Sequence, residues 1–432
     1  MPTTVLIVDD EPGILKTLSG VLSDEGYGTL TTGSGEAALE MYREHRPDVV
    51  FLDIWLPDRD GLETLQALRE FDPAAAVIMM SGHGTASTAV KSIKMGAFDY
   101  VEKPLSYNAA VDAVVGALEY RQTVRADSAL LQSLERSKQK VEATPQLAPP
   151  PELGILAAVD EPQRTLSEGT VLYGLGLHSG RRTGMTLQPL PVDTGIHFLT
   201  LPTNTYLPAH IGSVAETDYA TTLSRDGQHI KTVEHLLSAL RARGVTNLLI
   251  KVHGEIPVLD GSALEFCEAL DAVGVVEQSA PRKEIVIDRV YQVEGDDGKS
   301  LKIEPADQFS ASYQLSYPPP VGEQACDFTL TSYEAYKQEI APARTFGFMR
   351  DLKMMSELGL GSGGRLDNCI LVGEDNVINT DLRFSDEFAR HKVLDIIGDL
   401  YLLGYPIRGR VSARLTGHKA NIALLREIAA GG

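Results

Sequence analysis

Three places in the chain bring together side chains that can coordinate cations or move protons. The first is near the N-terminus, where the apolar run Val5-Leu6-Ile7-Val8 ends in Asp9-Asp10-Glu11 and the run Val49-Val50-Phe51-Leu52 ends in Asp53. If these runs are neighbouring parallel strands, their carboxyl ends converge, and crowded carboxylates need a cation; hard oxygen donors with room for water suit Mg²⁺. Two further runs end in Ser81-Gly82 and in Tyr100-Val101-Glu102-Lys103, adding a hydroxyl and an ammonium at the same edge. The second place is His391 and Asp395, four residues apart in a segment with a polar start at Ser385 and a stop at Gly404. On a helix they share one face. Imidazole plus carboxylate suits Zn²⁺ or Fe²⁺, although a surface salt bridge produces the same spacing. The third is Lys231-Thr232-Val233-Glu234-His235. Thr232 is expected to cap a helix running to Gly244, with Glu234 and His235 in its first turn. One residue can then hold a cation while the other takes a proton from water; an ordinary acidic helix start is the alternative. Two histidines and one aspartate make three protein ligands with a water position open. His418, beside Gly417 near the chain end, reads by itself as a surface loop residue.

The elements that must position these groups divide the chain. Its 432 residues predict roughly three compact units. Residues 1–121 alternate short apolar runs with helical stretches, the pattern of a parallel α/β sheet. Residues 122–162 form a seam: a helical stretch over Thr123 to Val141 containing Leu130, Leu131 and Leu134, then Thr144-Pro145 and Pro149-Pro150-Pro151, which lack N–H donors and read as a stiff spacer. The stalk is expected either to pack on its own domain or to form a homodimer. Beyond it, short strands bounded by Gly and Pro alternate with a few helices, an α+β pattern, and a weaker seam near Ser279 to Pro281 divides it into 163–280 and 281–432.

Lys plus Arg is 39 and Asp plus Glu is 59, so the formal charge is 39 − 59 = −20, the wrong sign for a nucleic-acid-wrapping protein. Cys267, Cys326 and Cys369 lie far apart, against a disulfide framework or a thiolate metal site. No run of ~18 apolar residues is present, and the start lacks a basic region plus an apolar signal core. A cytoplasmic location is the expectation.

Residues 2 to about 121, with Asp9, Asp10, Asp53, Ser81, Tyr100 and Lys103 in this order, resemble the receiver domain of two-component response regulators, most similar to the nitrogen-regulator activators. The resemblance implies a flavodoxin-like fold with a parallel five-stranded sheet. It implies phosphorylation of Asp53 by a sensor histidine kinase, Mg²⁺ on Asp10 and Asp53 with Asp9 acting through water, Ser81 and Lys103 on the phosphoryl oxygens, and Tyr100 as an aromatic switch. The usual DNA-binding or ATPase output is missing: there is no G-x-x-x-x-G-K-[ST] loop and no basic recognition helix.

Residues from about Gln163 to Ile428 resemble the UDP-3-O-acyl-N-acetylglucosamine deacetylases of lipid A synthesis. The matching stretches are Gly174 to Gly180, Thr232 to Leu236, Glu255 to Ser262, Ala343 to Phe348, Asp386 to Lys392 and Gly417-His418. The resemblance implies two similar α+β subdomains with helices sandwiched between sheets. It implies zinc, or Fe²⁺, on His235, His391 and Asp395; Glu234 as general base; Thr345 at the oxyanion; and His418, oriented by Asp399, as the acid for the leaving amine. Lys392 is implied as a substrate contact. Phe346 and the apolar residues near Leu201 to Leu207 are candidates for an acyl passage. Leu415 stands where the family commonly has a lysine, with Lys419 or Arg414 as candidate replacements. The expected activity is release of acetate from UDP-3-O-acyl-N-acetylglucosamine; the rival is a signalling or scaffold protein that binds the nucleotide sugar without turnover.

Overall fold

The computed structural model describes residues 3–82, 92, 95–103, 105, 107, 109–118, 121, 147, 149–201, 203–365 and 367–431. The helical stalk and the homodimer expected from it fall outside these residues. The chain forms two compact units, Met1–Leu130 and Leu131–Gly432.

In the first unit, strands β1 (Thr4–Val8), β2 (Gly28–Thr32), β3 (Val49–Asp53), β4 (Val77–Ser81) and β5 (Asp99–Glu102) pair in the order β2-β1-β3-β4-β5. Every pairing is parallel. Parallel sheets bury both faces, and β1, β3 and β4 are accordingly continuous apolar runs with no solvent exposure from Val5 to Val8, Val49 to Leu52 and Val77 to Met80. Helices α1 (Pro12–Asp24), α2 (Gly35–His45) and α3 (Gly61–Phe71) alternate with the strands. Ser34 caps α2 by accepting from the Ala37 N–H. Separate apolar clusters lie on the two faces of the sheet, one around Leu65 and Leu68, the other around Leu22 and Val114.

The second unit is a duplicated α+β body. Its first sheet contains β7 (Thr170–Leu175), β8 (Arg182–Pro189), β9 (Ile196–Thr200), β10 (Thr205–Pro208) and β14 (Leu248–Val252), ordered β10-β9-β14-β8-β7. The second contains β16 (Tyr291–Glu294), β17 (Ser300–Glu304), β18 (Ser310–Ser316), β19 (Glu323–Thr329) and β23 (Arg410–Arg414), ordered β16-β17-β23-β18-β19. In each, the last strand inserts at the centre, antiparallel to the second strand and parallel to the third. In each, one helix precedes that central strand and another follows it: α4 (Glu234–Arg243) and α5 (Leu264–Val273) in the first half, α8 (Glu387–Leu400) and α9 (His418–Gly431) in the second. The first half also has a small sheet of β11 (Val214–Glu216), β12 (Thr222–Arg225) and β13 (Gln228–Ile230). Between β19 and α8 lie α6 (Tyr333–Glu339), α7 (Leu352–Glu357) and the pair β20 (Phe346–Phe348) and β21 (Ile370–Val372). One continuous apolar core runs through both halves. Helix α8 is buried on nearly every side, from Phe388 to Leu400, as a helix sandwiched between layers must be.

Two boundaries differ from the expectation. Strand β6 (Leu156–Leu166) begins seven residues before 163 and pairs antiparallel with β15 (Val275–Val286), which crosses the expected seam at 280–281 unbroken. Pro162 and Pro281 face each other where the register shifts. Proline lacks the ladder donor and is tolerated at such an irregularity, so two prolines that look like linker residues sit inside paired strands. Strand β22 (Ile407–Arg408) completes this sheet in parallel with β15. The three cysteines are free, and no described helix is long and apolar enough to cross a membrane.

Candidate active site

Because α4 and α8 occupy equivalent positions in the two halves, they lie against each other, and Gly398 sets how closely. A Cβ there would meet the Glu234 carbonyl oxygen at 2.0 Å, so only glycine admits this approach. The packing brings His235, His391 and Asp395 together with at most 3% exposure each. Their ligand atoms all lie within 4.8 Å of one another. Asp395 Oδ1 is 3.8 Å from His235 Nε2 and 3.5 Å from His391 Nε2. Those spacings are too long for hydrogen bonds. They are of the size of the edges of a tetrahedron with bonds of roughly 2.0–2.1 Å, the distance of zinc to nitrogen or oxygen. Asp395 Oδ1 and His235 Nδ1 are buried without a hydrogen-bond partner among the described residues. His391 Nδ1 donates to the Ala343 carbonyl at 3.1 Å, leaving its Nε2 lone pair for a cation. Burial, reinforced by His391, pushes the His235 imidazole down to about 3, and burial likewise lowers His391. Burial opposes the charge on Asp395, yet Lys392, whose Nζ lies 2.9 Å from Oδ2, and the histidines hold it well below the usual carboxylate range. Two neutral imidazoles and one carboxylate are a donor set that fits Zn²⁺ or Fe²⁺.

Glu234 and His418 border the same cavity of about 900 Å³, as do Thr345, Phe346 and Lys392. Glu234 Oε2 accepts from the Thr221 N–H at 3.1 Å, and Oε1 is 3.9 Å from His418 Nε2. Burial pushes the Glu234 carboxyl up to about 8. His418 is 8% exposed at the start of α9, not a surface loop residue. Its Nδ1 lies 2.8 Å from Asp399 Oδ2, which also accepts from Asn421 Nδ2 at 2.8 Å, while Asp399 Oδ1 accepts from the Thr221 hydroxyl at 2.6 Å. Burial works against the imidazolium, but Asp399, then Glu234, raise His418 to about 10. Its Nε2 faces Glu234 Oε1 and Asp395 Oδ2, each at 3.9 Å. Phe346 packs edge-on against Phe388 at 4.8 Å and lies 5.5 Å beneath the Lys392 ammonium.

Some expectations need correction. Thr232 does not cap α4: it takes a left-handed φ of 61°, its hydroxyl donates to Glu255 at 3.3 Å, and Val233 is the N-cap residue without a side-chain bond. None of the described residues between 201 and 207 lines the cavity; Leu207 is in the core, and apolar lining comes from Leu177, Val293, Tyr317 and Leu358. Lys419 lines the cavity and Arg414 does not; Lys299 is a further lining cation that the sequence reading missed. It also missed Thr221, Asn421 and the buried pair Arg344–Glu387. Arg344 Nε donates to Glu387 Oε1 at 2.9 Å and ties the loop carrying Ala343 and Thr345 to the start of α8. Both residues of that pair lie in motifs that suggested chemistry, but only their burial shows the role.

In the first unit, Asp9, Asp10 and Asp53 offer ligand atoms within 4.8 Å of one another, with Asp10 exposed and the other two buried. Lys103 Nζ lies 2.6 Å from Asp9 Oδ2 and 2.8 Å from Asp53 Oδ2. Burial raises the Asp53 carboxyl, partly offset by Lys103. Three carboxylates against one ammonium leave an all-oxygen donor set that fits Mg²⁺. Ser81 is buried at the end of β4, one residue beyond Met80, the register partner of Asp53, and Tyr100 is half-buried with its hydroxyl enclosed.

Residues 163–430 match the family profile described as UDP-3-O-acyl N-acetylglycosamine deacetylase, and residues 5–115 match that of the response regulator receiver domain. A UDP-3-O-acyl-N-acetylglucosamine deacetylase of Myxococcus xanthus is 43% identical over 272 residues, covering 62% of this chain and 86% of that protein. The receiver domain of NtrX from Brucella abortus is 42% identical over 27% of this chain and 98% of its own, with a TM-score of 0.26. A longer NtrX structure in complex with ADP is 34% identical over 33% of this chain, which spans 35% of that one, with a TM-score of 0.28.

Proposed function

Since the chain belongs to the UDP-3-O-acyl N-acetylglycosamine deacetylase family through residues 163–430 and carries a response regulator receiver domain in residues 5–115, we propose that it releases acetate from UDP-3-O-acyl-N-acetylglucosamine under the control of Asp53. The observation that carries this reading is the meeting, in one cavity, of the triad His235, His391 and Asp395 with Glu234 and the His418 ring held by Asp399. A zinc or iron ion held by the triad would supply the Lewis acidity that polarises an amide carbonyl and acidifies water. Glu234 as carboxylate takes a proton from the attacking water, and the Thr221 N–H keeps that carboxylate aimed into the cavity. Thr345 offers its hydroxyl to the oxygen that gains charge. His418 stabilises that charge and delivers the Nε2 proton to the departing amine, because Asp399 holds the other nitrogen. Lys392 and Phe346 border the space for the sugar and its acyl chain, and Lys419 faces the same cavity as a cation for the diphosphate. Acetate release from UDP-3-O-acyl-N-acetylglucosamine by the metal-loaded chain tests the reading. Binding of the nucleotide sugar without any acetate release would overturn it in favour of a binding module.

Asp399 is a positioning residue with a distinct signature. Its charge is the largest influence raising His418, so Asp399→Asn is expected to move the alkaline limb of kcat/KM to lower pH by roughly one to two units, as removal of one close charge does. An alkaline limb that stays in place would remove His418 from the role of acid.

Control by Asp53 is tested with phosphoramidate, a phosphodonor that adds no acetate to the assay. A new charge near −2 in contact with Ser81 and Lys103 can bias a two-state element. Phosphorylation, physiologically by a sensor histidine kinase, is expected to change kcat or the oligomeric mass in the wild type and not in Asp53→Asn. Equal activity and equal mass in all samples would mean that the two units are merely tethered.

A further inference from the structure

The segment that leads into the deacetylase body does not hang free. Leu147 packs with Leu190, Leu199 and Leu249; Glu152 pairs with Lys283; and Leu153 and Ile155 pack on the main core. At the centre, Pro150 sits in a cradle made by two glycines. A Cβ on Gly404 would meet the Pro150 Cβ at 2.4 Å, and one on Gly195 would meet its Cδ at 2.8 Å. Above them the Tyr405 hydroxyl donates to the Pro150 carbonyl at 3.0 Å. An amphipathic aromatic with a hydroxyl over a proline carbonyl is the means by which proline-rich segments are held elsewhere, since a PPII chain presents unpaired carbonyls and loses little entropy on docking.

The cradle has a particular location. Gly404 and Tyr405 follow the turn Tyr401–Leu403 that ends α8. Gly195 donates to Asn247 Oδ1 at 2.8 Å, in the link from α4 to β14, and the Tyr401 hydroxyl donates to the Val245 carbonyl at 2.6 Å in that same link. The proline is thus clasped where the two triad-bearing helices exit. The family match starts at residue 163, so the clasped segment lies outside the matched residues and its cradle inside them.

We propose that Leu147 and residues 149–153 form a docked strap and that this strap is the route by which events upstream of it reach α4 and α8. The second half of the proposal rests on the control by Asp53 proposed above. The test is hydrogen exchange and acetate release on the full metal-loaded chain, comparing wild type with Pro150→Gly and with the milder Tyr405→Phe; none of these positions lies in the catalytic site. Loss of the ring that fills the cradle and of its fixed φ predicts amide exchange in residues 403–408 on the order of tenfold faster in Pro150→Gly, and loss of the single Tyr405 hydroxyl bond a smaller increase in Tyr405→Phe. Basal kcat is expected to stay within about twofold, with the response to phosphoramidate lost. Exchange equal to wild type in both variants would overturn the docking. Faster exchange with a fully retained response would overturn the route. A wild type that does not respond to phosphoramidate while its exchange still depends on Pro150 would overturn control by Asp53, and the route with it, and leave the docked strap standing.

Discussion

Glu234→Gln is expected to lower kcat for acetate release by about 10²- to 10⁴-fold, the range for loss of a general base, with the metal content per chain unchanged. Glutamine has the same shape and keeps an oxygen to accept the Thr221 N–H at the position where Oε2 now sits, so the side chain stays in place. What it loses is the ability to take a proton. Burial raises the Glu234 carboxyl while the His418 imidazolium pulls it back, and this balance places its titration near the pH at which a base must work. Because His418 carries its own proton through Asp399, it cannot serve as base without first losing the charge that the leaving amine requires. A glutamine variant with near-wild-type kcat and intact metal would move the role of base elsewhere.

How legible this was in the sequence follows from what each feature depends on. The acidic pocket of the first unit was readable because strand ends carry it: once Val5 to Val8 and Val49 to Leu52 are parallel strands, Asp9 and Asp53 must share an edge. The pairing of His391 with Asp395 was readable from helical spacing, and α8 runs as the polar start and Gly404 stop suggest. What brings His235 to them was not local. It depends on the equivalence of α4 and α8 in a duplicated topology and on the absence of a side chain at Gly398, neither of which leaves a periodic pattern. Taken alone, His418 pointed to the surface, because the buried acceptor that draws it in, Asp399, lies on another element. The prolines misled for a physical reason as well. Pro150 is docked on the body, and Pro162 and Pro281 lie at a ladder irregularity, so each proline marks a break in regular structure, and only its packing partners show what the break is for.

Removal of a triad ligand should have the other large effect, and it should be visible without any assay of turnover. A metal that binds the folded chain and not the unfolded one stabilises it by RT ln(1 + [L]/Kd), about 2.7 kcal/mol when the free ion is at 100 Kd. Zinc or Fe²⁺ is therefore expected to raise the Tm of the deacetylase transition in the wild type, and a chelator to reverse it. Asp395→Asn is expected to abolish that shift and to lower kcat by on the order of 10³-fold or more, since the Lewis acid contributes several kcal/mol to the transition state. A complication is Lys392, whose ammonium pairs with Asp395 Oδ2 and would be left without it in a largely buried position. Breaking such a pair from one side costs about 3–5 kcal/mol by itself, so a lower Tm in Asp395→Asn alone would not report on metal. Lys392→Met in the same chain removes the unpaired charge while retaining an apolar stem of similar length. The double variant is expected to recover stability relative to Asp395→Asn and still to bind no metal. A double variant whose Tm continues to rise with added zinc would mean that His235 and His391 hold the ion with another partner, and the assignment of Asp395 as ligand would fall.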